Sequence, residues 1–305
     1  MAGRLLSIGE CMVELMQAEG GLMRKSFAGD TFNTAYYARQ YLPAEWSVDY
    51  CSAVGTDKIS EEMRAFIAGH GVGTDTIARI EGRSPGLYMI HLDHGERSFS
   101  YWRSASAAKL LARDGDRLRA AMEASDIIVF SGITLAILPT EDVDTLLAEL
   151  RRAKAAGKRV VFDPNIRPRL WDDAAYMRAT ITEGARAASL VMPSLDDETT
   201  HFGDASLEET IARYRALGVD GLVVKDGEKG ATLVFGDERS HVPSARVETI
   251  VDTTSAGDSF NGAFLARLAT GGSPQEAARF AANVAAAVIQ HHGALVAKDK
   301  LPDGD

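Results

Sequence analysis

Cysteine is nearly absent from this chain: Cys11 and Cys51 are the two among 305 residues, and they form neither a disulfide framework nor a metal-ligand pattern. Such sparing use fits a reducing, cytoplasmic compartment. Positive charge is also short, with a formal net charge of −10. That balance argues against a protein that grips nucleic acid or an anionic membrane, and it means that an anionic substrate has to be held by local basic residues against the overall field. Lys58, Lys109 and the pair Arg151 and Arg152 make no basic stripe. Long apolar runs are missing too. The uncharged stretch from Phe280 to Ile289 is too short to span a bilayer and reads as a buried, alanine-rich helix. Leu5, Leu6 and Ile8 are followed by Glu10 and Glu14, which does not suit a signal peptide. No Walker A stretch and no G-x-G-x-x-G appears, so neither a P-loop enzyme nor a simple dinucleotide-binding domain is indicated. The seven histidines are scattered, and the adjacent His291 and His292 lack the spacing for two ligands on one helix face.

What is present is ordinary globular composition, 46% apolar and 25% charged, on a chain long enough for one large domain with an appendage. From about residue 114 onward, apolar strands alternate with amphipathic helices. Asp126 to Gly132 reads as a buried strand and Pro139 to Ala156 as a helix, with Val143, Leu146, Leu147 and Leu150 on its inner face. Gly157 ends that helix before the strand Arg159 to Asp163. Ser206 and Glu209 form a capping-box pattern, and Gly218 stops the helix before the strand Gly221 to Lys225. Continuous apolar strands between such helices predict an α/β fold with a mostly parallel sheet covered on both faces. Ligands then bind beyond the carboxyl ends of the strands, just after Asp163, Met192 and Lys225.

The first hundred residues differ. Helices are expected over Thr31 to Leu42 and Lys58 to Gly69, with a strand near Val48 to Val54. Residues 11–27 and 84–103 carry short alternating segments instead, which pair either as a small sheet outside the main one or as two surface hairpins.

The chemistry concentrates in Asp252 to Phe264, DTTSAGDSFNGAF. Ser255, Ala256 and Gly257 lead into a helix with Phe260, Phe264 and Leu268 on its inner face. A helix start built from small residues leaves backbone N–H groups free and unshielded, and with the helix dipole they form a phosphate site. Asp258 in the first turn would on its own be read as a dipole-stabilising carboxylate. Beside a glycine that lets a ligand approach, it becomes a candidate base next to an anion cradle, the combination phosphoryl transfer needs.

This segment resembles the carboxyl-terminal DTTGAGDxF motif of the ribokinase-like (PfkB) carbohydrate kinases, and the likeness extends over the whole chain. Gly29 to Asn33, GDTFN, resembles the family's sugar-binding motif, and Lys225 to Gly230, KDGEKG, its nucleotide-binding turn. The resemblance implies a three-layer αβα sandwich with a small β-sheet lid formed by roughly 11–27 and 84–103. It further implies ATP with largely water-mediated Mg2+, Asp258 as catalytic base, and Ser255, Ala256 and Gly257 as the anion hole. Ser255 stands where the family has glycine, and Ala28 replaces the first glycine of the lid hinge.

Within the family, GDTFNTAYYAR from Gly29, YWRSASAA from Tyr101, DPNIRPRLW from Asp163 and PSLDDE from Pro193 are most similar to 2-keto-3-deoxygluconate kinases. A sugar acid as substrate gives Arg103 and Arg167 a carboxylate to bind through paired, charge-assisted hydrogen bonds. By the same resemblance Tyr88 and Tyr101 close over the sugar, while Gly29, Asp30 and Asn33 meet its hydroxyls. On the nucleotide side stand Asn165, Ser194, Lys225, Gly227, Gly230 and, at the adenine, Asn283. Asp197 and Glu198 are both candidates for organising magnesium, and Asp252 and Thr254 for a monovalent cation; no protein-built metal cage is expected. A homo-oligomer through the lid is expected. The competing readings are a kinase of fructose, ribose or a nucleoside, and a non-catalytic relative that binds a sugar or nucleotide.

Overall fold

The computed structural model describes residues 2–93 and 96–304, so His94 and Gly95, within the 84–103 piece, lie outside the described residues. The main sheet comprises β1 (Arg4–Ile8), β4 (Ser47–Val54), β5 (Ile77–Arg79), β8 (Ile127–Ser131), β9 (Arg159–Asp163), β10 (Leu190–Val191), β11 (Gly221–Lys225), β12 (Ala231–Phe235) and β13 (Glu238–Val242). Its order is β13-β12-β11-β10-β9-β8-β1-β4-β5, parallel from β11 to β5, with β12 and β13 added antiparallel at one edge.

Alternation along the strands feeds two cores. In β8, Ile127 and Val129 point to one face while Ile128 and Phe130 point to the other, and all four are buried. Both faces must therefore be apolar, which is why these strands read as unbroken hydrophobic runs. Helices α1 (Asp30–Tyr41), α2 (Lys58–Gly69), α9 (Ala256–Ala269) and α10 (Pro274–Val288) cover the first face. Helices α3 (Gly115–Glu123), α4 (Gly132–Ile137), α5 (Thr140–Ala155), α6 (Ala174–Ala187), α7 (Leu195–Phe202) and α8 (Leu207–Ala216) cover the second. The result is the expected three-layer arrangement.

Local chemistry sets the boundaries. Asp57 and Asp114 accept backbone N–H groups at the starts of α2 and α3, and Ser273 with Glu276 closes a capping box on α10. At α8 only half of the expected box forms. Ser206 accepts from the Glu209 N–H, but the Glu209 carboxylate takes the Ala205 N–H one residue earlier. Gly157 and Gly218 both adopt positive φ just past their helices, as their placement predicted.

The two early segments form a separate four-stranded sheet, β3 (Met23–Ala28), β2 (Met12–Gln17), β6 (Leu87–Asp93) and β7 (Glu96–Trp102), in that order. Two hairpins meet through parallel pairing of β2 with β6, which joins chain segments some seventy residues apart. One face carries Met12, Glu14, Tyr88, Phe99 and Tyr101. On the other, Val13 and Phe27 join the first core, where Phe27 meets Phe66 of α2. The crossing between the sheets is tight. A Cβ on Gly29 would lie 2.1 Å from the Glu10 carbonyl oxygen, so only glycine fits there. No helix among the described residues is long and apolar enough to cross a membrane.

Candidate active site

A cavity of about 980 Å³ opens between the two sheets, beyond the carboxyl ends of β9, β10 and β11. Its floor is the start of α9. Ser255 precedes that helix at φ 64°, a left-handed conformation that glycine would adopt freely. The Ser255 Oγ is buried and has no partner among the described residues. An added Cβ on Gly257 would meet a single heavy atom within 4 Å, the Lys225 Nζ at 3.6 Å. The Ala256 N–H donates to the Thr253 carbonyl oxygen at 3.2 Å, whereas those of Gly257 and Asp258 have no acceptor among the described residues and stand beside one cation.

Asp258 stands on that turn. Its carboxylate accepts a 2.8 Å hydrogen bond from Asn33 Nδ2, while Asn33 Oδ1 accepts the Gly29 N–H. This double engagement fixes the amide and ties α9 to the start of α1. Burial, then the charge of Asp30, pushes the Asp258 carboxyl up to about 7; Asp163 adds to the effect, and Asn33 and Lys225 oppose it. Asp30 opens α1 without capping it and accepts 2.9 Å from Asn165 Nδ2. Asn165 itself sits at φ 35°, its N–H donated to Asp163.

Lys225 ends β11 and reaches past β10 to Asp163 at the end of β9, with Nζ 3.1 Å from Asp163 Oδ2 and 3.2 Å from Asn261 Oδ1. Asn261 Nδ2 also donates to Asp163, at 2.6 Å. The cavity is further lined by Ser194, Asp196, Asp197, Arg167 and Gly227. Arg167 is half exposed, with Nη1 3.9 Å from Asp197. Burial pushes the Asp197 carboxyl up, and Arg167 opposes this. Glu198 is elsewhere: it is wholly buried, bound to Arg213 and accepting the Tyr214 hydroxyl at 2.9 Å. Of the two acids considered for magnesium, Asp197 alone faces the cavity. Among the described residues no group of three or more metal-ligating side chains gathers.

The roof comes from the second sheet. Tyr88 is buried, with its hydroxyl donated to Glu14, so it offers the cavity a ring rather than a free hydroxyl. Tyr101 is half exposed beside it, ring centroids 6.0 Å apart. Phe99 completes the wall, a residue that sequence reasoning passed over although it alternates with Tyr101 on β7.

Three expected residues do not line the cavity. Arg103 pairs with the buried Glu10 where the two sheets join, and its Nε has no partner among the described residues. Gly230 closes the turn after β11 at φ 98°, where a Cβ would meet the Val242 carbonyl oxygen at 2.1 Å. Asn283 lies exposed on α10. Conversely, Asp163, Asp196, Ile133, Ile250 and Val251 line the cavity and were not singled out. Asp163 ends β9, and its place at the carboxyl end of a strand is the sequence signal for it. Asp252 closes the preceding loop, its two oxygens accepting the N–H groups of Thr254 and Gly293. Both thiols are buried: burial raises Cys51 to about 11 and Cys11 well above the ordinary range, so neither is a nucleophile here.

Comparison with known proteins places the whole chain. It is 39% identical over 302 residues to the 2-dehydro-3-deoxygluconokinase of Dickeya dadantii, covering 97% of each chain. With that of Escherichia coli it shares 38% over 309 residues, 99% of this chain and 100% of the other. The fold matches the fructokinase of Xylella fastidiosa crystallised with bound ATP, with TM-score 0.85, 24% identity and coverage of 99% and 96%. The model of the pfkB family carbohydrate kinases matches residues 2–301, and the protein belongs to that family.

Proposed function

We propose that this protein transfers the γ-phosphoryl group of ATP to the terminal hydroxyl of 2-keto-3-deoxygluconate (2-dehydro-3-deoxygluconate), giving 2-keto-3-deoxy-6-phosphogluconate. The observation that carries this reading is the place of Asp258: its carboxylate lines the cavity at the start of α9, held by Asn33 at 2.8 Å beside the Lys225 ammonium, and burial pushes it up to about 7. A base that titrates near working pH, next to donors for developing negative charge, is suited to hydroxyl phosphorylation. Near-full-length likeness at 38–39% to two 2-dehydro-3-deoxygluconokinases supports the sugar acid as acceptor.

In this reading Asp258 takes the hydroxyl proton, and the amides of Ser255 and Gly257 receive the moving phosphoryl group, joined by that of Ala256 when it leaves the Thr253 carbonyl. Asp30 and Asn33 bind sugar hydroxyls beside Gly29. Arg167 binds the carboxylate from within the cavity. Arg103 joins it through the Nε that has no partner among the described residues, once the second sheet closes as a lid. The rings of Tyr88, Phe99 and Tyr101 exclude water. Ser194, Asn165, Lys225 and Gly227 flank the nucleotide phosphates, with Gly230 shaping the turn. Asp197 fits the hydrated magnesium that accompanies ATP, because that ion takes one or two carboxylates and keeps several waters; when bound, it neutralises phosphate charge. A monovalent cation against Asp252 and Thr254, a cytoplasmic setting and a dimer through the second sheet complete the reading.

The test is ADP formation with 2-keto-3-deoxygluconate, fructose, ribose and adenosine at equal concentration. The sugar acid should give the highest kcat/KM by at least about tenfold, since a paired carboxylate contributes more than 1.4 kcal/mol. Equal or greater activity on a neutral acceptor overturns the assignment.

A further inference from the structure

Lys225 is more than a backbone position in the turn after β11. Its side chain crosses the end of β10 to reach Asp163, and it stands over the start of α9. An ammonium has three N–H groups. Two are taken, by Asp163 Oδ2 at 3.1 Å and Asn261 Oδ1 at 3.2 Å, and among the described residues the third has no acceptor. Lys225 and Asp163 both line the cavity, with side chains only 15% and 13% exposed. Asn261 sits three residues beyond Asp258, on the same side of α9, and is itself buried. Lys225 Nζ lies 3.6 Å from where a Cβ on Gly257 would stand, which puts the ammonium beside the first turn of α9.

A buried lysine held only to cancel a carboxylate would gain from a third protein acceptor, because a desolvated ammonium donor left unmade is costly. Here the ammonium stands instead beside the helix start, where negative charge arrives. We propose that Asp163, together with Asn261, is a positioning residue that holds the Lys225 ammonium at the start of α9, where it binds the phosphoryl group during transfer. The inference rests on the kinase reading. In the step, the bond from γ-phosphorus to the bridging oxygen of ATP breaks and a bond to the acceptor oxygen forms; the acceptor proton passes to Asp258, and ADP leaves with the bridging oxygen. Lys225 neither gains nor loses a bond. It supplies fixed positive charge to the equatorial oxygens, and Asp163 stops it from swinging towards Asp258 or into solvent.

The test uses the full chain with whichever acceptor the wild type turns over best. Lys225→Met should lower kcat by about 10²–10³, the range for removing one preorganised donor. Its Kd for a non-hydrolysable ATP analogue should stay within about threefold, because the contact strengthens in the transition state. Asp163→Asn should lower kcat by about tenfold or more with similar analogue binding. The double variant Asp163→Asn with Asn261→Asp again offers Lys225 one carboxylate and one amide, and should recover most of that loss. A Lys225→Met enzyme with near-wild-type kcat overturns the inference. So does a double variant no better than Asp163→Asn, whatever the melting temperatures. A wild type that forms no ADP with any acceptor instead sinks the kinase reading, so the two failures are distinguishable.

Discussion

At the scale of the residue, Asp258 carries the sharpest consequences, and they follow from its environment. An unfolded aspartate titrates near about 3.9, whereas burial and Asp30 raise the folded group to about 7. Between those values the folded protein keeps a proton that the unfolded chain releases. The contribution of this group to stability is therefore most favourable at low pH and is lost as pH rises towards 7. Asp258→Asn should raise the melting temperature by a few degrees at pH 8, and the gain should shrink towards pH 5, as read by thermal denaturation at both values. The same ionisation governs chemistry with the opposite sign. kcat/KM for the acceptor should fall about tenfold per pH unit below about 7, and Asp258→Asn should lose about 10² or more in kcat at pH 8. A profile flat to pH 5 would remove Asp258 as the base. A variant that gains stability while losing turnover separates a functional carboxylate from a helix-start carboxylate, whose replacement would lower stability and leave turnover largely intact.

At the scale of the element, the site depends on how closely α9 lies against α1. Gly262 makes that contact: a Cβ there would meet the Thr34 carbonyl oxygen at 2.5 Å, the Ala38 nitrogen at 2.8 Å and the Tyr37 Cβ at 2.8 Å. Two of those atoms are backbone and cannot rotate away. Gly262→Ala should cost about 1–3 kcal/mol through overpacking and lengthen the 2.8 Å bond between Asn33 and Asp258. Thermal denaturation and steady-state kinetics should show a lower melting temperature together with a lower kcat. An unchanged pair of values would mean that the helices separate freely. Elements with strong local signals were legible in the sequence. Lys58–Gly69 and Gly221–Lys225 fall where caps and apolar runs put them. Others lacked such signals. β13 begins at Glu238, and as an edge strand it tolerates charge at Glu238 and Arg239, which breaks the apolar run that marks an inner strand. The six-residue α4 was hidden in the apolar stretch after β8, where the Ser131 and Thr134 capping box was not apparent without coordinates.

At the scale of the whole molecule, the second sheet leaves apolar surface uncovered. Met23 and Trp102, on its face away from the cavity, and Leu22, just before β3, are 40–69% exposed. Exposed large apolar side chains gathered at the face away from the cavity are what a second copy of the chain would cover. Sedimentation should give a dimer, and Trp102→Glu should shift it to monomer while leaving the core and the melting temperature of the monomer largely intact. A wild type that sediments as a monomer at all accessible concentrations would overturn this.

The sequence by itself determined the α/β class, the parallel sheet and the small-residue helix start that carries Asp258. Those properties are local, written in alternation, helical period, caps and glycine placement. Tertiary structure alone decided which side chains share a charge. Strand order puts β9 and β11 on either side of β10, so Lys225 meets Asp163 across 62 positions of chain. It also sends Arg103 to Glu10, Glu198 to Arg213 and Asn283 to the outer surface of α10. Periodicity records which way a residue faces. The partner it meets depends on which strands become neighbours, and the energy of a buried charge is set by that partner.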